Sequence, residues 1–224
     1  MFGLLYAGRI RPASLTADTR VQDNLRGINY FVPQFSARPQ HLGASSRDDD
    51  YISRLDASPR FSAMTFWFTR YQTLTDAWSV KLAAAGQTTS GPVYTSQQFY
   101  LGGAAFGRGY GSAEVSGDNG LAGSAKIRFD QKTSYQYLSG YQLYAFVDSG
   151  VAWYSGYQMS DGLSLTSVGA GIQLFMADGL QADIGVATPL TYRAPDNSTR
   201  DARVLFSLSS ALKFCPVRAT TRCL

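Results

Sequence analysis

The sequence alternates apolar and polar residues along several stretches of ten or more positions. In YQLYAFVDSGVAWY, for example, Leu143 and Val147 fall on one side of an extended chain and Asp148 falls on the other. A period of two indicates β-strands, because successive side chains of a strand point to opposite faces. Strands of soluble proteins are usually about five or six residues long, whereas a tilted strand needs about ten to cross a bilayer. The pattern therefore predicts strands of membrane-crossing length.

Eight stretches show this alternation, and their polar faces carry Gly, Ser, Gln and Asp rather than a coat of charges. Such a face suits the wet interior of a barrel, and the apolar face suits lipid. Charged residues make up only 16% of the chain, against roughly 25% in soluble domains. A soluble β-sandwich also alternates and is the alternative, but strand length and scarce charge favour an antiparallel outer-membrane β-barrel. The predicted strands are residues 23–33, 60–74, 77–89, 120–131, 139–155, 163–176, 179–193 and 202–214.

Composition argues against several other classes. No stretch approaches the roughly 18 uninterrupted apolar residues of a membrane helix, and a mean hydropathy of −0.14 is compatible with a barrel. The net charge of +4 is scattered along the chain, so no nucleic-acid partner is predicted. His41 is the single histidine and lies in the loop-like segment RPQHLGASSRDDD. We therefore predict no catalytic residues, no metal ligands and no cofactor.

The glycine-rich stretch FYLGGAAFGRGYGSAEVSGDNG, residues 99–120, resembles a phosphate-binding loop only superficially. A Walker loop needs a Lys after its glycines and then a helix, and here no Lys follows and the next periodic segment is a strand. Arg108 lies between Gly107 and Gly109, and glycine can adopt positive φ angles and pack closely against other backbone. A guanidinium keeps its charge, so its burial requires a carboxylate. Asp148, on the polar face of a long strand, is the candidate partner inside a barrel.

Three short motifs in order resemble a known family. They are SQQFYLGGAAFGRGY, then GDNGLAGSAKIR, then FVDSG, and their spacing leaves strands between them. The set looks like the carboxy-terminal barrel of the ShlB/FhaC/HecB haemolysin secretion/activation proteins, the TpsB transporters of two-partner secretion. The resemblance extends from about residue 20 to Phe214, the terminal aromatic of the last predicted strand.

The resemblance implies a sixteen-stranded outer-membrane barrel of a Gram-negative cell, of which this chain would supply about eight strands. It also implies a hairpin folded into the lumen, with the motif Phe106, Gly107, Arg108, Gly109 and Tyr110 at its tip. The arginine would pair with Asp148, and Phe146 and Gly150 would complete the receiving strand. Periplasmic POTRA domains would precede the barrel, and the barrel-assembly machinery would insert it among outer-membrane lipids.

The function implied is the export, or the export and activation, of a large haemolysin- or adhesin-type exoprotein without ATP. Two other functions stay open at this point. One is a barrel-assembly insertase of the same superfamily, and the other is a passive porin. The residues FYLGG of the first motif and FVDSG of the third favour the secretion function.

The sequence also departs from the family. Lys126 stands where the family usually has an acidic residue, and Cys215 and Cys223 lie in a tail, CPVRATTRCL, after the expected terminal aromatic. We expect a poorly defined segment at residues 1–19, a barrel portion at 20–214 and an atypical tail at 215–224. We further expect the chain to be either a carboxy-terminal fragment or the product of a truncated gene.

Overall fold

The computed structural model describes residues 13–37, 61–156, 162–176, 179–191 and 201–210. Over these residues the protein is almost entirely antiparallel β-sheet, with one short 3-10 turn at Thr95–Gln97. In the same ranges, no helix has the length and apolar character needed to cross a bilayer. The strands are β1 Ala13–Thr16, β2 Thr19–Gln22, β3 Gly27–Ala37, β4 Ser62–Thr73, β5 Trp78–Thr89, β6 Phe99–Leu101, β7 Val115–Gly117, β8 Asn119–Tyr135, β9 Leu138–Trp153, β10 Leu163–Met176, β11 Leu180–Pro189 and β12 Arg203–Ser210.

Ten of the strands form one sheet, in which adjacent strands mostly follow one another along the chain. The order is β1-β3-β4-β5-β8-β9-β10-β11-β12, with β2 also pairing with β3. Strands β6 and β7 pair only with each other, because they belong to a hairpin that leaves the sheet between β5 and β8. Within the described part of the chain the sheet does not close on itself, which is consistent with a partial barrel.

All eight predicted strands are present, and the prediction of a single antiparallel barrel sheet rather than a sandwich is confirmed. The predicted strand at 23–33 begins and ends four residues too early. Asp23 accounts for the later start, because its Oδ1 accepts hydrogen bonds from the backbone N–H groups of Leu25, at 3.0 Å, and Gly27, at 2.9 Å. These bonds stabilise a turn where the sequence pattern suggested strand.

Two short strands precede the first predicted strand. Among the described residues the sheet begins at Ala13, where β1 pairs with one half of β3 and β2 pairs with the other half. The two short strands share one edge of the sheet and carry only one large apolar residue each, Leu15 and Val21. So few apolar positions give no period-two signal, which is why the sequence did not predict them.

The two faces of the sheet differ in the way the alternation predicts. One face carries exposed apolar side chains on neighbouring strands, among them Leu82, Ile127, Leu143, Val168 and Ile184. The other face buries Gln142, Asp148 and Ser167 and receives the hairpin. An apolar outer band and a polar interior are the arrangement of a membrane barrel.

Glycines on the polar face provide room for aromatic rings of the neighbouring strand. Gly169 lies opposite Phe146, and Gly171 lies opposite Tyr144, in the pairing of β9 with β10. A Cβ at Gly171 would lie 2.5 Å from the Tyr144 hydroxyl and 2.5 Å from the Ile184 carbonyl oxygen. The Tyr144 hydroxyl reaches across to donate to Asp183 Oδ1 at 2.7 Å. The rings therefore extend from β9 across β10 towards β11, and they contact all three strands.

We predict that Gly171→Val destabilises the folded barrel by about 1–3 kcal/mol, the usual cost of overpacking. The backbone carbonyl of Ile184 cannot move aside as a flexible side chain could. Ala170→Val is the matched control, since Ala170 is the next residue along β10 and lies exposed on the outer face. The measurement is urea unfolding in detergent, followed by tryptophan fluorescence. Equal unfolding midpoints for the two variants would contradict the prediction.

Candidate functional site

The hairpin between β5 and β8 comprises residues 90–118 and carries the candidate site. It consists of the 3-10 turn, the strand pair β6 and β7, and a tip between these two strands. Three tip glycines, Gly102, Gly103 and Gly107, have φ angles of +102°, +90° and +86°. Residues other than glycine rarely adopt such positive φ angles, so the glycines allow the backbone of the tip to turn back sharply. Backbone bonds from Gly102 N to Phe106 O, 3.0 Å, and from Tyr110 N to Gly107 O, 2.9 Å, fix the resulting turns.

A buried carboxylate holds the base of the hairpin. Asp118 is fully buried, and it accepts hydrogen bonds from Val93 N at 3.0 Å and Ser155 N at 2.8 Å. It thus joins the start of the hairpin, its end and the loop after β9. Next to it, the Asn119 side chain accepts from Thr89 N at 2.8 Å and donates to Ser155 Oγ at 2.6 Å. The base of the hairpin is therefore bound to the end of β5 and to the loop after β9 by the side chains of Asp118 and Asn119.

Apolar contacts hold the middle of the hairpin against the inner face of the sheet. Leu101 is buried over Gly150, where a Cβ would lie 2.8 Å from its Cδ2 atom. The Phe106 ring meets the Trp67 ring of β4, with centroids 5.1 Å apart. Gly150 is therefore needed on the receiving strand for a steric reason, because a side chain there would displace Leu101.

Arg108, at the tip, is bound by Asp148 of β9. The guanidinium donates to both carboxylate oxygens, from Nε to Oδ2 at 2.8 Å and from Nη2 to Oδ1 at 2.6 Å, and the Arg108 backbone N–H donates to Oδ2 at 3.1 Å. Ser124 Oγ also donates to Oδ1, at 2.7 Å. The Arg108 side chain is 14% exposed and that of Asp148 is 0% exposed. The guanidinium lies over the Phe146 ring, 3.3 Å from its centroid.

The two residues after Arg108 contact β10 and β11 of the ten-stranded sheet, which forms the wall around the hairpin. Gly109 packs so closely that a Cβ would lie 2.8 Å from both Pro189 N and Ser167 Cβ. Tyr110 is almost fully buried, and its hydroxyl donates to Thr166 O at 2.9 Å and accepts from Thr191 N at 3.1 Å.

These contacts show that the sheet is strongly curved. Phe106 touches β4 and Gly109 touches β11, although five sheet intervals separate these two strands. At about 4.8 Å per interval, a flat sheet would place them about 24 Å apart. Since the two hairpin residues are three positions apart, the wall must bend around the hairpin, which therefore lies on the concave face.

The structure brings together the motif residues that the sequence singled out. Four of the five positions, Phe106 and Arg108 to Tyr110, contact the sheet, whereas Gly107 packs against Gly102 within the hairpin. The predicted partly buried pair of Arg108 with Asp148 is confirmed. Phe214, Cys215 and Cys223 lie outside the described residues. Sequence reasoning missed Ser124, Asp118 and Thr191, which complete the polar contacts. The GDNG motif that contains Asp118 was the one signal that could have identified it.

Residues 2–174 match the family described as haemolysin secretion/activation protein ShlB/FhaC/HecB. The chain belongs to this family. The family is that of the TpsB transporters, so the resemblance read from the three motifs is confirmed.

Among solved structures, CdiB from Escherichia coli is similar in fold, with a TM-score of 0.72 and 19% sequence identity. The similarity covers 88% of this chain and 36% of CdiB, so the chain spans about a third of the length of that relative. No curated protein matches the sequence.

We predict that Gly109→Ala displaces the hairpin tip, because the atoms that its Cβ would meet are backbone atoms of β11 and a Cβ of β10. Gly111→Ala is the matched control, since a Cβ there would meet the carboxylate end of the flexible Glu114 side chain, at 2.8 Å. Displacement exposes Arg108, so trypsin should cleave after Arg108 several-fold faster in Gly109→Ala than in wild type or Gly111→Ala. Mass spectrometry of the fragments measures this cleavage. Equal protection of Arg108 in the three proteins would refute the close packing.

Proposed function

We propose that this chain forms part of the wall of an outer-membrane pore in a Gram-negative cell, which exports a large haemolysin- or adhesin-type exoprotein without ATP. Membership of the secretion family favours this function over an insertase or a passive porin. The observation that carries the proposal is the hairpin bound inside the curved sheet by Arg108 and Asp148. A filled interior suits a gated pore for polypeptide, whereas a porin for small solutes needs an open channel.

The lengths of the connections give the barrel an orientation. The connections after β2, β4 and β8 are short, and those after β3 and β5 are long, the latter containing the whole hairpin. Outer-membrane barrels have short periplasmic turns and longer extracellular loops. The hairpin would therefore enter the lumen from the extracellular end, and the exported chain would have to pass it while moving outwards.

The ion pair supplies a fixed point for the tip in this scheme. Removing one partner of a buried pair costs about 3–5 kcal/mol, because the other charge is left uncompensated. The hairpin tip has little apolar surface besides Phe106 and Tyr110 to offset such a loss. The position of the tip in the pore, and hence the passage of the exoprotein, would depend on both charges being present.

We predict that, in a complete transporter containing this barrel, Arg108→Ala and Asp148→Ala each reduce secretion strongly. The double variant should be little worse than either single one, because both single changes remove the same interaction. Arg108→Lys should fail in part, since an ammonium lacks the two-pronged geometry of a guanidinium. The measurement is exoprotein in the medium, divided by the amount of folded barrel in the outer membrane.

The exposed pair of Arg26 and Asp76 provides a matched control, with 3.6 Å between Nη2 and Oδ1 and side chains 64% and 101% exposed. An exposed pair contributes about 0–1 kcal/mol, so Arg26→Ala and Asp76→Ala should secrete normally. Normal secretion by Arg108→Ala and Asp148→Ala, at normal barrel levels, would show that transport does not need the buried pair.

A further inference from the structure

A cavity of about 300 Å³ lies on the inner face of the sheet, beside the hairpin tip. Four cationic side chains line it, and its lining contains no carboxylate. The cations are Lys81 of β5, Arg108 of the hairpin, and Lys126 and Arg128 of β8. Asp148 neutralises Arg108, so the three remaining positive charges are those of Lys81, Lys126 and Arg128 on the wall.

Two of these wall cations face each other directly. Lys81 and Lys126 are register partners in the pairing of β5 with β8, which puts their Cβ atoms about 4.5–5.5 Å apart. Like charges in this arrangement repel and destabilise the sheet unless something negative lies between them. The sheet thus carries an unfavourable charge pair at the wall of a cavity.

Aromatic rings contact these cations, and the Asp183 carboxylate, which accepts from the Tyr144 hydroxyl, attracts Lys126 without forming an ion pair with it. Lys126 Nζ lies 3.5 Å from the centroid of the Tyr144 ring. Lys81 Nζ and Arg128 Cζ each lie 5.4 Å from the centroid of the Tyr71 ring. Among the residues that the structure describes, none of the three cations makes an ion pair with a carboxylate. The buried Nε of Arg128 also has no hydrogen-bond acceptor there.

The spacing of the cations matches an extended polypeptide. Lys126 and Arg128 occupy successive inward-facing positions of β8, and Lys81 is the register partner of Lys126 on β5. Alternate residues of a strand are about 6.8 Å apart. Alternate side chains of an extended chain running along the wall have the same spacing, so its acidic side chains could meet the cations one after another.

We propose that Lys81, Lys126 and Arg128 form a carboxylate-binding site for acidic side chains of an extended polypeptide in the lumen. The identity of that polypeptide as the exported protein rests on the proposed function. The affinity of the wall for carboxylates does not, and it can be measured without transport. The site would bind an acidic segment weakly and reversibly, since each cation is solvated in part and screened by salt.

The test uses the full chain folded in a non-ionic detergent and a fluorescein-labelled oligo-glutamate peptide, with fluorescence anisotropy as the readout. We expect wild type to bind this peptide, and not the equivalent lysine peptide, at low salt. Lys126→Glu should weaken binding by about tenfold or more, because an attractive charge becomes a repulsive one. The variant Lys81→Glu/Lys126→Glu should instead bind the lysine peptide, a reversal that a purely structural role would not produce.

Lys132→Glu is the matched control, as it makes the same charge change on the same strand. Lys132 is exposed and lies six positions from Lys126, about 20 Å along β8. It should bind the glutamate peptide like wild type. Equal loss of binding in Lys126→Glu and Lys132→Glu would assign the effect to net charge and overturn the site. Absence of binding by wild type would overturn it as well.

These results are separable from the secretion assay. If the glutamate peptide binds at Lys126 but Arg108→Ala secretes normally, the carboxylate site stands and the proposed role of the hairpin in export fails. If Arg108→Ala blocks secretion but no peptide binds, the proposed function stands and the carboxylate site fails.

Discussion

The carboxylate of Asp148 determines where the hairpin lies. It is fully buried, and it accepts two bonds from the Arg108 guanidinium, one from the Arg108 backbone and one from Ser124. A buried charge with fewer donors would be costly, so the folded wall is satisfied only when the tip is in place. The dependence is mutual, because a guanidinium over a ring in the lumen equally needs a carboxylate. The positions of the hairpin tip and of β9 therefore depend on each other.

The remaining packing allows the tip to reach that carboxylate. At four places where a side chain of the hairpin or a ring of the sheet crosses a strand, the residue beneath it is glycine. Leu101 covers Gly150, the Phe99 ring covers Gly120, and Phe146 and Tyr144 cover Gly169 and Gly171. A side chain at any of these positions would lift the overlying group away from the sheet. The abundance of glycine in the strands, which lowers their intrinsic β-propensity, follows from the need to fill the interior without clashes.

The sequence alone predicted two features: the strands, which show a repeating pattern, and the ion pair, because a buried arginine requires a carboxylate. Long alternation predicted all eight principal strands, and the need of Arg108 for an acid on a polar strand face led to Asp148. It was insufficient where the signal is local or comes from the fold. Strands β1 and β2 have too few apolar residues to show a period. Asp118 and Thr191 bind groups far away in the sequence, and the alternation that predicts the strands does not reveal these partners.

The charge distribution of the interior follows from the same ion pair. Because Asp148 neutralises Arg108, the hairpin tip adds almost no net charge to the cavity beside it. The unmatched charge there belongs to the wall, on Lys81, Lys126 and Arg128, each supported by a tyrosine ring. A ring attracts a cation without neutralising it. The tip and Asp148 cancel each other's charge only while they are paired, so movement of the tip would leave the Asp148 carboxylate beside these cations and lower the positive potential of the wall.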